Sequence, residues 1–162
     1  FNLHQRGDVL YAPLVDSNGE IHNIQTITTD GTKRFLLGGR VSGLFSLLGE
    51  RPKSGVIYIC EGWATAATIH MESGYAVAAA MNAGNLQSVA VILRETLPPN
   101  VEIILALDND QATLGNPGLS KGRAAANTIG ARYTFPNAFC SNCKCSDFND
   151  VSNCKKLNRE EK

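Results

Sequence analysis

Acidic side chains follow two strand-like runs of this sequence, each near the point where the apolar run ends. Glu61 comes directly after residues 56–60, and Asp108 and Asp110 come just after residues 101–107. In an open parallel sheet the carboxyl ends of the strands meet at one edge, where ligands bind. Carboxylates gathered there repel one another, and their hard oxygens select Mg²⁺ or Mn²⁺. The pattern therefore indicates a divalent-metal site at this edge.

The chemistry of such a site would be phosphoryl or nucleotidyl transfer. A cation held by these acids can bridge phosphate oxygens, activate a 3′-hydroxyl and stabilise a leaving group. Each signal also has an ordinary explanation, because an aspartate after a strand commonly caps a turn or a helix. A D-x-D pair alone is weak, whereas a glutamate ending one strand and a D-x-D ending another is considerably stronger. On the residues alone, metal binding and a structural role both stay open.

The segments around these acids alternate between strand and helix patterns. Four strand-like runs are present, at residues 56–60, 75–80, 101–107 and 132–135. Three segments have helical composition or periodicity, at residues 63–71, 86–97 and 120–129. Strands that alternate with helices in this way predict an α/β fold, with a parallel sheet flanked by helices.

Residues 1–50 have a different pattern, in which short strand-like runs are separated by turns. The turn signals are residues 16–19 and residues 30–31, and two turns between short strands predict an antiparallel meander. We therefore predict a small β-rich (α+β) subdomain over residues 1–50. An α/β domain follows over residues 51–150, and a polar tail over residues 151–162.

Length and composition exclude several classes of protein. The chain has 162 residues, 15 basic and 15 acidic side chains, and 43% hydrophobic residues, which excludes collagen-like, coiled-coil and wholly disordered chains. No apolar run approaches the ~18 residues of a membrane span. A net charge of zero means that nucleic-acid binding would depend on local patches. The sequence begins without Met or a signal-peptide pattern, so we expect a fragment of a longer cytoplasmic protein, with no membrane partner.

The order of these motifs resembles the Toprim domain, which bacterial-type primases, type IA and II topoisomerases and some nucleases share. The resemblance rests on Glu61-Gly62 after one hydrophobic strand and on Asp108-x-Asp110 after another, with 46 residues between Glu61 and Asp108. Residues 147–150, with the sequence DFND, resemble the downstream acidic motif of Toprim primases.

Other segments make the resemblance to primases more specific. Residues 30–36 (DGTKRFL), followed by a Gly-rich step, are similar to the small basic subdomain that precedes Toprim in bacterial primases. Residues 61–68 (EGWATAAT) and 81–86 (MNAGNL) look most like primases of conjugative plasmids and mobile elements. The resemblance implies the catalytic core of a DNA primase, a DNA-directed RNA polymerase. Such a core makes short RNA primers on single-stranded DNA from ribonucleoside triphosphates with Mg²⁺ or Mn²⁺. A replicative helicase would be a partner through domains outside this chain.

The resemblance also implies roles for single residues. Glu61 matches the Toprim glutamate, a metal ligand or general base for the attacking 3′-hydroxyl. Asp108 and Asp110 match the D-x-D metal ligands and complete the catalytic set. Asp147 and Asp150 match the later acidic motif and are candidate ligands of a second metal.

One position departs from the pattern of replicative primases. Those proteins often place an aspartate four residues after the glutamate, where this sequence has Thr65. A metal site that needs this carboxylate is either absent here or built differently.

Basic and amide side chains supply candidate nucleotide and nucleic-acid contacts. Lys33 and Arg34 lie in the segment that resembles the basic subdomain, where phosphate contacts would position a strand without reading its sequence. Lys121 lies at the start of the helix predicted over residues 120–129 and would face a triphosphate. Asn82 follows the second predicted strand of the sheet. The alternative for each is a solvated charge or a turn residue.

Four cysteines, Cys140, Cys143, Cys145 and Cys154, cluster near the end of the chain. Four thiolates at such positions can bind Zn²⁺, but the C-x-C step is cramped and the DFND motif lies inside the loop. Reduced cysteines on a surface loop are the alternative. The zinc ribbon of bacterial primases precedes the core, so this cluster is not that ribbon.

Two other functions compete with the primase hypothesis. A Toprim nuclease or topoisomerase fragment would use similar acids to break phosphodiester bonds, although no catalytic tyrosine context is evident. A non-catalytic nucleic-acid-binding module would keep the fold without the activity, and Thr65 leaves room for it.

Overall fold

The computed structural model describes residues 3–111, 113–137 and 145–154, which form two sheets and their helices. The small sheet is antiparallel and has the strand order β1-β2-β3-β4. Its strands are β1 (His4–Arg6), β2 (Val9–Val15), β3 (Ile21–Thr28) and β4 (Lys33–Phe35). The turns between β2, β3 and β4 fall where the sequence places them, so the predicted meander is present.

The larger sheet is mainly parallel and has the order β5-β7-β6-β8-β9. Its strands are β5 (Ser46–Leu48), β6 (Gly55–Cys60), β7 (Ala76–Ala79), β8 (Val101–Ala106) and β9 (Arg132–Thr134). The helices are α1 (Trp63–Ser73), α2 (Leu86–Thr96), α3 (Pro117–Ile129) and α4 (Phe148–Ser152). This arrangement confirms the predicted α/β fold class. None of the helices in the described ranges is both long and apolar enough to cross a bilayer.

Strand β5 lies in the larger sheet, although the sequence pattern assigns the first fifty residues to the small subdomain. It pairs antiparallel with β7, with Ser46 opposite Ala79 and Leu48 opposite Val77. A three-residue strand carries no measurable periodicity, and its partner lies about thirty residues later. Local pattern therefore could not assign it to a sheet.

Each face of the larger sheet carries its own apolar core. Ile57, Ile59 and Leu105 point to the side where α2 and α3 pack. The opposite side buries Cys60, Ala66 and Val77 together with Ala12 and Leu14 of the small sheet. The inner face of the small sheet therefore shares a core with α1, which fixes the position of this sheet against the larger one.

Helix α3 packs closely against the end of β8 because it has glycine at the contact. A Cβ atom on Gly122 would lie 2.1 Å from Leu107 Cδ2, and the Leu107 side chain is itself buried. Nearer the helix start, a Cβ atom on Gly118 would lie 3.0 Å from both Cβ and O of Asp108. Small residues therefore allow the helix to approach the D-x-D segment.

We predict that Gly122→Ala lowers the free energy of unfolding by about 1–3 kcal/mol, because the added methyl group overpacks a full core. The gain in helix propensity, about 1 kcal/mol, offsets only part of this loss. Urea unfolding measures the free energy of unfolding of the variant. The control is Thr128→Ala, at an exposed position of the same helix. Equal stabilities of the two variants would contradict this packing.

Candidate active site

The ends of two parallel strands bring the predicted acids together. Strands β6 and β8 are hydrogen-bonded neighbours, and their register sets Cys60 opposite Ala106. Because the two strands end level, Glu61 and Asp108 leave the sheet at the same edge. The structure therefore brings Glu61 near the D-x-D segment, as the sequence predicts.

Burial and mutual repulsion raise the pKa values of these carboxyl groups. Burial, and next the charge of Glu61, raise the pKa of Asp108 from 3.8 to about 8, and the charges of Asp147 and Asp110 add to the shift. The pKa of Glu61 is raised first by its own burial and then by Asp110. Lys33 lowers both pKa values. Four carboxyl groups therefore share one electrostatic environment.

One oxygen of Asp108 lacks the partner that a buried polar atom normally has. Oδ1 of Asp108 is fully buried, and it accepts no hydrogen bond from any part of the chain that the structure describes. A buried carboxylate of this kind is stable only when it is protonated or paired with a cation. Together with the repulsion from Glu61 and Asp110, this oxygen fits the donor set of a hard divalent metal.

The three predicted ligands do not form a closed cluster. Across the described ranges, the group of three His, Cys, Asp or Glu side chains with ligand atoms within 4.8 Å of one another is Asp16, Glu20 and His22. That group lies on and beside the exposed turn between β2 and β3, where Nε2 of His22 is 2.9 Å from Oδ2 of Asp16. The acids at the sheet edge are close enough to interact but are more widely spaced.

Asn109, the middle residue of D-x-D, points into the protein and ties three segments together. Its backbone N–H donates to Ser146 O at 2.6 Å, and its Nδ2 donates to Pro136 O at 3.2 Å. Its Oδ1 accepts from Nδ2 of Asn116, at the start of α3, at 2.8 Å. The sequence alone gives Asn109 no role beyond that of a tolerated middle residue of the D-x-D motif.

The loop after β7 contacts the site through its backbone. The amide of Ala83 hydrogen-bonds Glu61 and lowers its pKa, so Asn82 lies at the same edge of the sheet. Asn85 is buried and has a structural role. Its Nδ2 donates to Leu44 O and Ala80 O, at 2.8 and 2.9 Å, and its Oδ1 accepts from Gly43 N–H at 2.7 Å. These bonds join the end of β7 to the segment before β5.

The acids of the DFND motif cap helix α4. Oδ1 of Asp147 accepts from the backbone N–H of Asp150 at 2.7 Å, the geometry of an N-cap residue. Oδ2 of Asp150 accepts from the backbone N–H of Ser146 at 2.9 Å. Asp147 also acts on the pKa of Asp108, so its charge reaches the acidic edge. The role of both residues as ligands of a second metal stays a prediction.

Two buried threonines of α1 hold this motif in place. Oγ1 of Thr65 donates to Oδ2 of Asp147 at 2.9 Å, and one turn later Oγ1 of Thr68 donates to Oδ1 of Asn149 at 3.0 Å. Where replicative primases often have an aspartate, this chain therefore has a neutral donor to one of its own acids. A hydroxyl adds no negative charge to a site that already has several.

The two adjacent basic residues of β4 lie on opposite faces of the small sheet. Lys33 pairs with Ile27 on the inner face, and its charge acts on both Glu61 and Asp108. Arg34 pairs with Thr26 on the outer face. Lys121 of α3 is exposed and also lowers the pKa of Glu61. Lys33 and Lys121 therefore lie close enough to the acids to lower their pKa values, whereas Arg34 lies on the opposite face of the small sheet.

The proposed cysteine cluster extends beyond the described residues. Cys140 and Cys143 lie outside them. Cys145 and Cys154 flank α4, and Sγ of Cys145 lies 3.6 Å from Asp150 O. Zinc binding by the four cysteines stays a prediction.

We predict that Asp108→Asn stabilises the metal-free protein, and by more at about pH 8 than at about pH 5. The folded protein keeps a proton on Asp108 that the unfolded chain has lost above a pKa near 3.8. The wild type therefore loses stability as the pH rises from about 4 to 8, and Asn removes this loss. Urea unfolding in chelator at both pH values measures it, with the exposed Asp8→Asn as control. The same gain at both pH values would refute a raised pKa.

We predict that Thr65→Val lowers the free energy of unfolding by about 1–3 kcal/mol, because Asp147 loses a buried donor. Thr65→Ser retains the hydroxyl and should recover most of the loss. Chemical unfolding compares both with Thr128→Val, whose wild-type hydroxyl donates only to its own helix. Equal losses in the Ser and Val variants would argue against the hydrogen bond.

Comparison with known proteins finds a family match over the segment that contains the acidic edge. A family model described as the Toprim domain matches residues 56–156. The DNA primase TraC of Escherichia coli is 38% identical over 139 residues, which cover 82% of this chain and 13% of that protein. The chain thus spans only a small part of the length of this relative.

Two solved structures have a similar fold. The primase fragment of the bacteriophage T7 primase-helicase protein has a TM-score of 0.64 at 20% identity, covering 98% of this chain and 63% of that one. The DnaG primase catalytic domain bound to single-stranded DNA has a TM-score of 0.57 at 14% identity, covering 95% and 50%. At these identities the likeness is one of fold. Because the Toprim model covers more than half of the sequence, the chain belongs to the Toprim domain family.

Proposed function

We propose that this chain is the catalytic core of a DNA primase that makes short RNA primers on single-stranded DNA. The observation that carries the proposal is the acidic edge of the larger sheet. There Asp108 presents a buried oxygen without a partner among the described residues, beside Glu61 and Asp110. The likeness to a primase at 38% identity supports the same conclusion.

Glu61, Asp108 and Asp110 are the residues that would hold Mg²⁺ or Mn²⁺. When bound, such a cation supplies charge neutralisation for the phosphates and activates the 3′-hydroxyl. Glu61 would also act as general base, and its raised pKa, which increases its affinity for a proton, supports this role. Asp147 is the better candidate for a second metal site, since its charge acts on Asp108, and Asp150 supports the same helix start.

The chain's own cations would position the substrates. Lys33 and Lys121 both act electrostatically on Glu61, so a triphosphate bound at this edge would lie between groups of opposite charge. Asn82 would contribute a neutral hydrogen-bonding group from the neighbouring loop. Ribonucleoside triphosphates are therefore the proposed substrates, with single-stranded DNA as template. A helicase partner and a cytoplasmic location stay predictions for the longer protein.

The nuclease or topoisomerase alternative shares the acids but not the small sheet. Here that sheet buries Ala12 and Leu14 in the core shared with α1 and places Lys33 near the acids. A small subdomain that brings Lys33 to the metal edge suits the joining of nucleotides on a template. The non-catalytic alternative differs by predicting DNA binding that is indifferent to the acids.

We predict that Mn²⁺ binding, measured by calorimetry with and without a ribonucleoside triphosphate, is lost in Asp108→Asn/Asp110→Asn. Removal of the carboxylates removes the charge that attracts the cation. The control is Asp16→Asn/Glu20→Gln, which alters only the exposed acidic group near His22 and should bind as the wild type does. If the control loses Mn²⁺ binding and the first variant keeps it, the metal binds at the exposed acidic group near His22 and the proposed site is wrong.

We further predict that wild-type protein incorporates labelled ribonucleotides on single-stranded DNA. Glu61→Gln should reduce the rate by about 10²–10⁴-fold, the range for loss of a general base. Nicking of DNA without incorporation would favour the nuclease alternative. DNA binding without either reaction, unchanged in Glu61→Gln, would favour the binding module.

A further inference from the structure

The outer face of the small sheet is open, in contrast to its inner face. Strand alternation puts Ala12 and Leu14 inside, where both are fully buried. Tyr11 of β2 and Arg34 of β4 lie on the other side of the sheet, in register with Thr26 of β3. An open depression of about 650 Å³ lies on this outer face. It is lined by Val9, Tyr11, Thr26, Thr28, Thr29, Asp30, Thr32 and Arg34.

The strand register arranges the side chains of this face in a row that crosses all four strands. His4 is opposite Tyr11, Tyr11 is opposite Thr26, and Thr26 is opposite Arg34. A neighbouring row begins with Arg6, which is opposite Val9. Since adjacent strands lie about 4.8 Å apart, the first row spans about 14 Å. A single aromatic ring thus lies among basic side chains.

The charges of this face are available to a ligand. Across the described ranges, neither Arg6 nor Arg34 forms an ion pair, because the two pairs present join His22 to Asp16 and Arg132 to Glu102. Asp30, the acid in the depression, accepts from Thr28 Oγ1, Thr32 N and Thr32 Oγ1 at 2.5–3.0 Å. The acid therefore stabilises its own turn, and the guanidinium groups stay open to solvent.

We propose that this outer face binds single-stranded DNA, with a base stacked on Tyr11 and with phosphates held by Arg6 and Arg34. Tyr11 is partly buried, and an accessible aromatic ring with cations on both sides is the arrangement that binds single strands without sequence preference. The choice of DNA as the ligand rests on the proposed function.

The edge position of β4 connects this face to the acidic site. Lys33 and Arg34 are consecutive, yet Lys33 acts on Glu61 and Asp108 while Arg34 lines the outer depression. A strand that crosses the edge of β4 would contact both side chains. Template DNA would therefore continue from the acidic edge around β4 and onto the outer face.

A protein partner fits this face less well. Four threonines, Arg34 and Asp30 line most of the depression, and its larger apolar groups are Val9 and Tyr11. The centre of a protein interface is instead depleted in charge and rich in apolar side chains. A polar face whose guanidinium groups form no ion pair within the described ranges is complementary to a phosphate backbone.

The test is fluorescence anisotropy of a labelled oligothymidylate in chelator, so that binding requires no metal. We expect Tyr11→Leu to weaken binding about 5- to 150-fold, the range for loss of one base–aromatic stack. Arg6→Ala/Arg34→Ala should reduce the slope of log K against log salt by about 1.4, since each phosphate contact on a single strand contributes about 0.7.

The controls remove matching groups elsewhere. Tyr75→Leu removes a half-exposed ring, and Lys53→Ala removes an exposed charge before β6. If the outer-face variants bind oligothymidylate with the same affinity as these controls, the proposal is wrong. Absence of oligothymidylate binding by the wild type would overturn it as well. Circular dichroism verifies that each variant is folded.

Photocrosslinking of wild-type protein to DNA carrying 4-thiothymidine gives a second test that needs no substitution. Crosslinks to β1 or β2 near Tyr11 support the outer face, and crosslinks confined to the larger sheet contradict it. The proposed function is tested separately by primer synthesis. Synthesis that persists while Tyr11 and Arg34 prove irrelevant to binding would refute only this inference. Binding through Tyr11 without synthesis would refute only the primase.

Discussion

The parallel register between β6 and β8 is the constraint on which the rest of the structure depends. It places the ends of the two strands level at Cys60 and Ala106, so Glu61 and Asp108 leave the sheet together. At this edge the carboxyl groups are partly removed from water and repel one another, which raises the pKa of Asp108 to about 8. The carboxyl groups at this edge therefore need a proton or a bound cation to offset their repulsion. In the proposed reaction a divalent cation has this role.

Neutral polar side chains organise the loops around the acids. Asn85 fastens the loop after β7, Asn109 joins the D-x-D segment to its neighbours, and Thr65 holds the start of α4 through Asp147. Each donates hydrogen bonds without bringing a further negative charge. Hydrogen-bonded amides and hydroxyls therefore position the loops while leaving the electrostatics of the site to the carboxylates and lysines.

The core shared by the two sheets determines where the basic residues lie. Ala12 and Leu14 anchor the inner face of the small sheet on the side of α1, which turns Lys33 toward the acids and leaves Arg34 on the open face. One strand thereby contributes to the acidic edge and to a second surface on the other side of the sheet. A nucleic-acid strand is long enough to use both, which a small substrate is not.

The sequence by itself determined the elements and the acids, because hydrophobic periodicity and residues at strand ends are local properties of the chain. Residues 56–60 and 101–107 indicated buried strands, and the acids after them indicated the site. Only the tertiary structure decided that Ser46–Leu48 joins the larger sheet. It also decided that Lys33 and Arg34 lie on opposite faces of the small sheet, and that Thr65 donates a hydrogen bond to Asp147, 82 positions away. The physical reason is that these features depend on how whole elements pack. Packing brings together residues that are far apart in the sequence, and a local sequence pattern carries no information about such contacts.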